Sequence, residues 1–132
     1  MAVYTYTIPL RPMPLQRARH CWKNLRPFDP QKQEKMAYGI YLQQQKPNIP
    51  PLTTPLRLDA FFYFKIPFSH SKKAEHDKYH VFKPDGSNLI KFLEDVAVDV
   101  GIMHDDCIIA ITCYEKLWTY EEAKTIFTLT EL

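Results

Sequence analysis

"KPDGSNLIKFLEDVAVDVGIMHDDCIIAITCYEK", residues 83–116, changes its hydrophobic period in the middle, and that change decides the fold. From Leu89 the apolar residues Leu89, Phe92, Leu93, Val96 and Val100 recur at spacings of three and four, which is one broad stripe of a helix. Ser87, Lys91, Glu94 and Asp95 fall on the opposite side, Ser87 is the natural N-cap, and Gly101 is placed to end the helix. "CIIAITCYEK", residues 107–116, then reads as a strand. Carboxylates mark both ends of the helical segment: Asp85 before it, Asp105 and Asp106 after it.

Working outward, "LRLDAFFYFKI", residues 56–66, alternates cleanly, with Leu56, Leu58, Ala60, Phe62, Phe64 and Ile66 on one face. It is expected to be a central strand with an aromatic reverse face. "VYTYTIP", residues 3–9, is β-branched or aromatic and ends at a proline, so it reads as a first strand. "DPQKQEKMAYGIYLQQQ", residues 29–45, reads as a helix capped by Asp29, with Pro30 in its first turn and Met36, Ala37, Ile40 and Tyr41 on its apolar face. "KPNIPPLTTP" connects it to the central strand, and "AKTIFTLTEL" at the C-terminus is a weaker strand expected at a sheet edge. The order β, α, β, α, β, β predicts a small α+β domain with a mixed sheet and its helices on one face.

With 132 residues, 45% hydrophobic and 24% charged, the chain is most simply one domain, 1–132, and not a disordered one. Three cysteines, Cys21, Cys107 and Cys113, have no C-x-x-C spacing and read as reduced, buried side chains. The N-terminus lacks the pattern of a signal peptide and no apolar run is long enough to span a bilayer, so a cytoplasmic location without membrane contact is expected.

Net charge is only +2, but it is segregated along the chain. Residues 1–84 carry fourteen Lys and Arg against five acids, and the remainder three Lys against ten acids. A basic half suits a polyanion, because each phosphate neutralised releases counterions; an acidic half suits a cation. The ordinary alternative is mutual neutralisation of the two halves at the surface.

Placed on this scaffold, Asp85 and Asp106 converge if the strand starting at Cys107 packs beside the helix start. One or two carboxylates with waters and phosphate oxygens are what Mg²⁺ requires, and such an ion can activate a water for phosphodiester hydrolysis. Lys91, one turn into the helix, would balance phosphate charge. The plain alternative is that Asp85, Asp105 and Asp106 are turn residues and that Lys91 pairs with Asp95 at i+4.

The set Lys83, Pro84, Asp85, Asn88, Lys91, Asp95, Asp105 and Asp106 resembles, without a gap, the core motif of the RusA-like Holliday-junction resolvases. "RPMPLQRAR", the "FDP" helix start, "LRLDAFFYF" and "PFSHSKK" are compatible with the same family. The resemblance implies a small α+β homodimer that uses Mg²⁺, with no small-molecule cofactor, to cut DNA four-way junctions by paired symmetric nicks. A two-fold dimer matches the two-fold symmetry of such a junction. By position it implies that Asp85 and Asp106 hold the metal with help from Asp105, and that Lys91 acts on the scissile phosphate. Asp85, Lys91 and Asp106 are then the catalytic set.

One position departs. The family's second aspartate is Ser87 here, a neutral and poor ligand for Mg²⁺. Either the protein binds junctions and cuts weakly or not at all, or another carboxylate supplies the charge. Glu94, on the same helix face, is the candidate, although seven residues rise about 10 Å along a helix. DNA contacts are expected from Arg17, Arg19, Lys72, Lys73, Lys83 and Asn88, with Trp22, Tyr79 or Phe82 available to stack at an opened junction. His70, His76 and His80 lack a closed ligand set for zinc and suit phosphate contact or solvation. A third reading, outside nucleic acids, is an interaction domain whose segregated charge meets a protein partner.

Overall fold

The structure is a computed structural model describing residues 2–16, 19–20, 27–67 and 78–132, with the backbone alone at 19–20 and 27–28. Its elements are β1 (Val3–Ile8), β2 (Arg19–His20), β3 (Pro27–Phe28), α1 (Lys32–Gln45), β4 (Leu56–Lys65), α2 (Gly86–Asp99), a 3₁₀ turn (Asp106–Ile108), β5 (Ile109–Thr119) and β6 (Lys124–Glu131). The main sheet has the order β1-β6-β4-β5, in which β4 and β5 run parallel and the other neighbours antiparallel. The chain is therefore α+β with a mixed four-stranded sheet and two long helices. A short β2–β3 ladder falls within the arginine-rich segment, which has no strand pattern in its sequence.

β4 is central, as its alternation requires. Leu56, Leu58, Ala60, Phe62 and Phe64 are buried, while Arg57, Asp59, Phe61 and Tyr63 keep partial exposure. The buried side chains join Tyr6 and Ile8 of β1, Phe127 and Leu129 of β6, Tyr38 and Leu42 of α1, and Leu89, Phe92, Leu93 and Val96 of α2 in one core. Tyr38 meets Phe92 edge-on at 4.9 Å and locks the two helices together. Removing area of this kind from water is the main stabilising term for a domain of this size.

Several expectations need correction. β6 is not an edge strand; it lies between β1 and β4, burying Thr125, Phe127 and Leu129 while its threonines at 128 and 130 face outward. The edges are β1 and β5. α1 is capped by Gln31, whose amide donates to Asp29 Oδ1 at 2.9 Å, and it turns Tyr38, Gly39 and Leu42 inward, leaving Met36 and Ile40 about 60% exposed. Gly39 explains the rotation: a Cβ there would come within 3.2 Å of Val100 Cγ1, so the face of closest helix approach is the one that lacks a side chain. Cys107 and Cys113 are exposed, because Cys107 sits in the 3₁₀ turn and Cys113 on the outward face of the edge strand. Cys21 lies outside the described residues.

α2 ends as its glycine predicts. Gly101 takes φ +81°, its N–H donates to Val98 O at 3.0 Å, and Ile102 N–H donates to Ala97 O at 2.9 Å, the paired bonds of a Schellman cap. Ile102 and Met103 then plug the core, and the backbone of 102–104 is bonded to Leu52 on both sides. This tight exit holds Asp105 and Asp106 close to the C-terminal half of α2. None of the described helices is long and apolar enough to cross a membrane.

Candidate active site

The helix α2 and the strand β5 run in opposite senses, which fixes what each end of the helix meets. At its start, Gly86 lies on the Tyr114 ring so closely that a Cβ would fall 1.9 Å from Cε1. Farther along, Glu94 comes within electrostatic reach of Asp106, just before β5 begins. Asp85 is thus at the level of Tyr114 and Lys116, and Asp106 at the level of the middle of the helix.

Asp85, not Ser87, is the N-cap, with extended backbone (φ −68°, ψ 141°). Its carbonyl accepts the amides of Asn88 at 3.1 Å and Leu89 at 3.2 Å, while its carboxylate makes no capping bond and stays exposed. The charged group facing it is Lys116, from β5. The peptide preceding Pro84 is cis. Ser87, Asn88 and Lys83 are exposed on the same end of the helix, and the Asn88 carbonyl accepts the amide of Leu15 at 2.9 Å.

One and two turns on, Lys91 projects to solvent and Glu94 is half-buried. Desolvation, and then repulsion from Asp106, raise the Glu94 carboxyl to about 7, with Lys91 opposing. Asp105 and Asp106 are hydrogen-bonded to each other; the bond raises Asp106 above the usual carboxylate range and lowers Asp105 below it. Lys91 also acts on Asp106. Asp95, the i+4 partner that the plain alternative offers Lys91, is met by a different cation. Lys35 of α1 reaches across to Asp95 at 3.6 Å and to Asp29 at 2.7 Å. Lys35, Asp95, Val98, Asp99, Asp105 and Asp106 line an open groove beside the site.

The structure therefore places Lys91, Glu94 and Asp106 within electrostatic reach of one another, with Asp85 at the N-cap of the same helix. Among the described residues, no three His, Cys, Asp or Glu side chains stand close enough to enclose a metal ion. The Glu94–Asp106 pair nevertheless suits a hard divalent cation. A carboxylate whose proton affinity is raised by a second one, as Glu94's is by Asp106, is stabilised by added positive charge, and Mg²⁺ takes one or two protein carboxylates and completes its shell with water and phosphate oxygens.

Residues outside the sequence expectation also shape this region. Thr112, Tyr114, Lys116 and Trp118 of β5 register with Leu58, Ala60, Phe62 and Phe64, so they share the face of the sheet that carries the core. Alternation could have shown this, but the polar lysine concealed it. His80 is not solvated: it is 7% exposed, stacked on Phe64 at 3.9 Å and tilted against Trp118 at 4.5 Å, and burial, then Lys116, keep its imidazole below the ordinary range. Tyr79 and Phe82 are about half exposed, with the Lys78 ammonium 5.4 Å from the Tyr79 ring. Arg17, Lys72, Lys73, Trp22, His70 and His76 lie outside the described residues, as does the side chain of Arg19.

A family model described as Endodeoxyribonuclease RusA matches residues 9–129. No curated protein matches the chain.

Proposed function

Because the chain belongs to the RusA endodeoxyribonuclease family, Holliday-junction resolvases that hydrolyse phosphodiester bonds in DNA, we propose that it resolves four-way junctions by paired nicks with Mg²⁺. Family members generally use divalent metal ions. The observation that carries the reading is that Lys91 and Asp106, two positions of the family's motif, lie within electrostatic reach of each other and of Glu94 on α2. The protein acts as a single-domain cytoplasmic homodimer, both helices covering one face of each sheet, because a two-fold substrate needs two sites related by a two-fold axis.

Within each site, Asp106 and Glu94 would hold the metal ion, with help from Asp105 and from Asp85 at the helix start. The ion, when bound, supplies Lewis acidity toward the phosphate and lowers the proton affinity of a water. Lys91 binds a non-bridging phosphate oxygen and offsets charge that builds on the leaving oxygen. Asp85 orients the attacking water, its carboxylate being free of the helix amides. Glu94 supplies the negative charge that Ser87 does not. Lys83, Asn88, Arg17, Arg19, Lys72 and Lys73 grip backbone phosphates, and Tyr79 and Phe82 stack on bases at the opened centre, so recognition follows junction shape more than sequence.

A second reading rests on Ser87, which stands where the family has an aspartate: a junction-binding protein with weak or no cleavage. Synthetic four-way junctions labelled on each strand in turn, with and without Mg²⁺, separate the two. Symmetric metal-dependent nicks support the first, and tight salt-sensitive binding without nicks the second. Equal affinity for a junction and a linear duplex would remove both.

A further inference from the structure

The segment 78–86, which delivers Asp85, contains no regular element between its two ends, yet it is fastened to β5 at every level. His80 N–H donates to Lys116 O at 2.9 Å, and Trp118 N–H donates to Lys78 O at 3.1 Å. The Trp118 ring packs on His80 at 4.5 Å and on Phe82 at 6.4 Å, and the Tyr114 ring fills the space that a side chain at 86 would need. Between these two aromatics stands Lys116. Its ammonium donates to the carbonyl of Phe82 at 2.6 Å and lies within electrostatic range of the Asp85 carboxylate.

A lysine at this place is not explained by packing. Lys116 registers with buried Phe62 and is itself partly buried, and burial works against its charge. An apolar side chain would fill the position at lower cost unless the charge has a task. The hydrogen bond fixes the chain just before the Lys83–Pro84 peptide, and the Asp85 carboxylate, just after it, lies within electrostatic range of the same ammonium. A hydrogen bond from a charged donor is stronger than a neutral one and defines direction, which a ring contact does not.

We propose that Lys116 is a positioning residue for the nuclease reaction, tethering the Phe82 carbonyl and facing Asp85 so that this carboxylate is held at the start of α2 in the pose that meets the phosphate. The inference rests on Asp85 belonging to the site described above. It assigns Lys116 no contact with DNA.

The test uses Lys116→Met, which keeps the stem and removes the charge, and Lys116→Arg, which keeps a charged donor. In the free protein, amide hydrogen exchange at Asn88 and Leu89, both bonded to the Asp85 carbonyl, is expected to quicken about tenfold in Lys116→Met, with the β1–β6 ladder unchanged. On a four-way junction, the single-turnover nicking rate is expected to fall about tenfold while the junction Kd stays within about threefold. Lys116→Arg should recover most of both. Unchanged exchange in Lys116→Met, acceleration spread evenly over the ladder, or equal loss in the Met and Arg variants would overturn the proposal. A wild type that fails to nick would strike the functional reading alone, since the exchange measurement decides the tether without any cleavage.

Discussion

Replacing Glu94 by Gln tests the electrostatics of the site before any substrate is added. In the folded chain, Glu94 titrates at about 7, against 4.5 for an unperturbed glutamate, because it is desolvated and faces Asp106. The unfolded chain ionises first, so stability falls as pH rises from about 4.5 and the full loss is present above about 7. Fully transmitted, that displacement amounts to about 3 kcal/mol; screening by the solvent that still reaches the side chain reduces it to about 1–2 kcal/mol. Glu94→Gln removes the ionisation and keeps the shape. Urea unfolding followed by tryptophan fluorescence should therefore find the variant more stable than wild type by about 1–2 kcal/mol at pH 8, and nearly equal to it at pH 4.5. Millimolar Mg²⁺ should narrow the gap at pH 8, since a ligand that binds only the folded wild type stabilises it by mass action. The same difference at both pH values, or a less stable variant at pH 8, would refute the account of Glu94.

Further outcomes follow from the same geometry. Asp85→Asn should abolish nicking, leaving junction binding equal or tighter as a negative charge near phosphate is lost; a gel-shift and nicking assay run together read both. Ser87→Asp should raise the nicking rate if the site is short of charge, and an unaltered rate in that variant would assign the compensation wholly to Glu94. Gly86→Ala should cost about 1–3 kcal/mol in thermal or urea unfolding, because the new Cβ meets the Tyr114 ring at 1.9 Å and the ring must move.

Where a segment's period was strong and its partner face continuous, the sequence was readable. β4 and α2 are examples: alternation over ten residues and a stripe from Leu89 to Val96 each admit one buried face. The inward face of α1 is not legible in the sequence, because Met36 and Ile40 look as apolar as Tyr38 and Leu42; the contact with Val100 that selects Gly39 belongs to tertiary structure. The threonines of β6 weaken its pattern to that of an edge strand, although it lies inside the sheet. Thr128 on the outward face pairs with Thr5 across the ladder at 3.0 Å, so polar residues in an interior strand find partners there.

The site divided in the same way. The carboxylates and Lys91 were visible because they cluster at the ends and on one side of a helix. The antiparallel course of α2 over β5 was not, and it sets Asp106 beside Glu94 and Lys91 while Asp85 faces Lys116. Lys35 and Lys116 escaped notice because each reaches the region from a distant element, α1 and β5, and no local spacing reports such a meeting.

The central claim is that this chain cuts four-way junctions through the edge of α2. The most direct measurement is strand-by-strand mapping of products from a synthetic junction incubated with Mg²⁺ and either wild type or Lys91→Met. Paired nicks at symmetry-related positions from the wild type, absent from Lys91→Met while junction affinity persists, are expected. Nicks of equal strength from both proteins would contradict it.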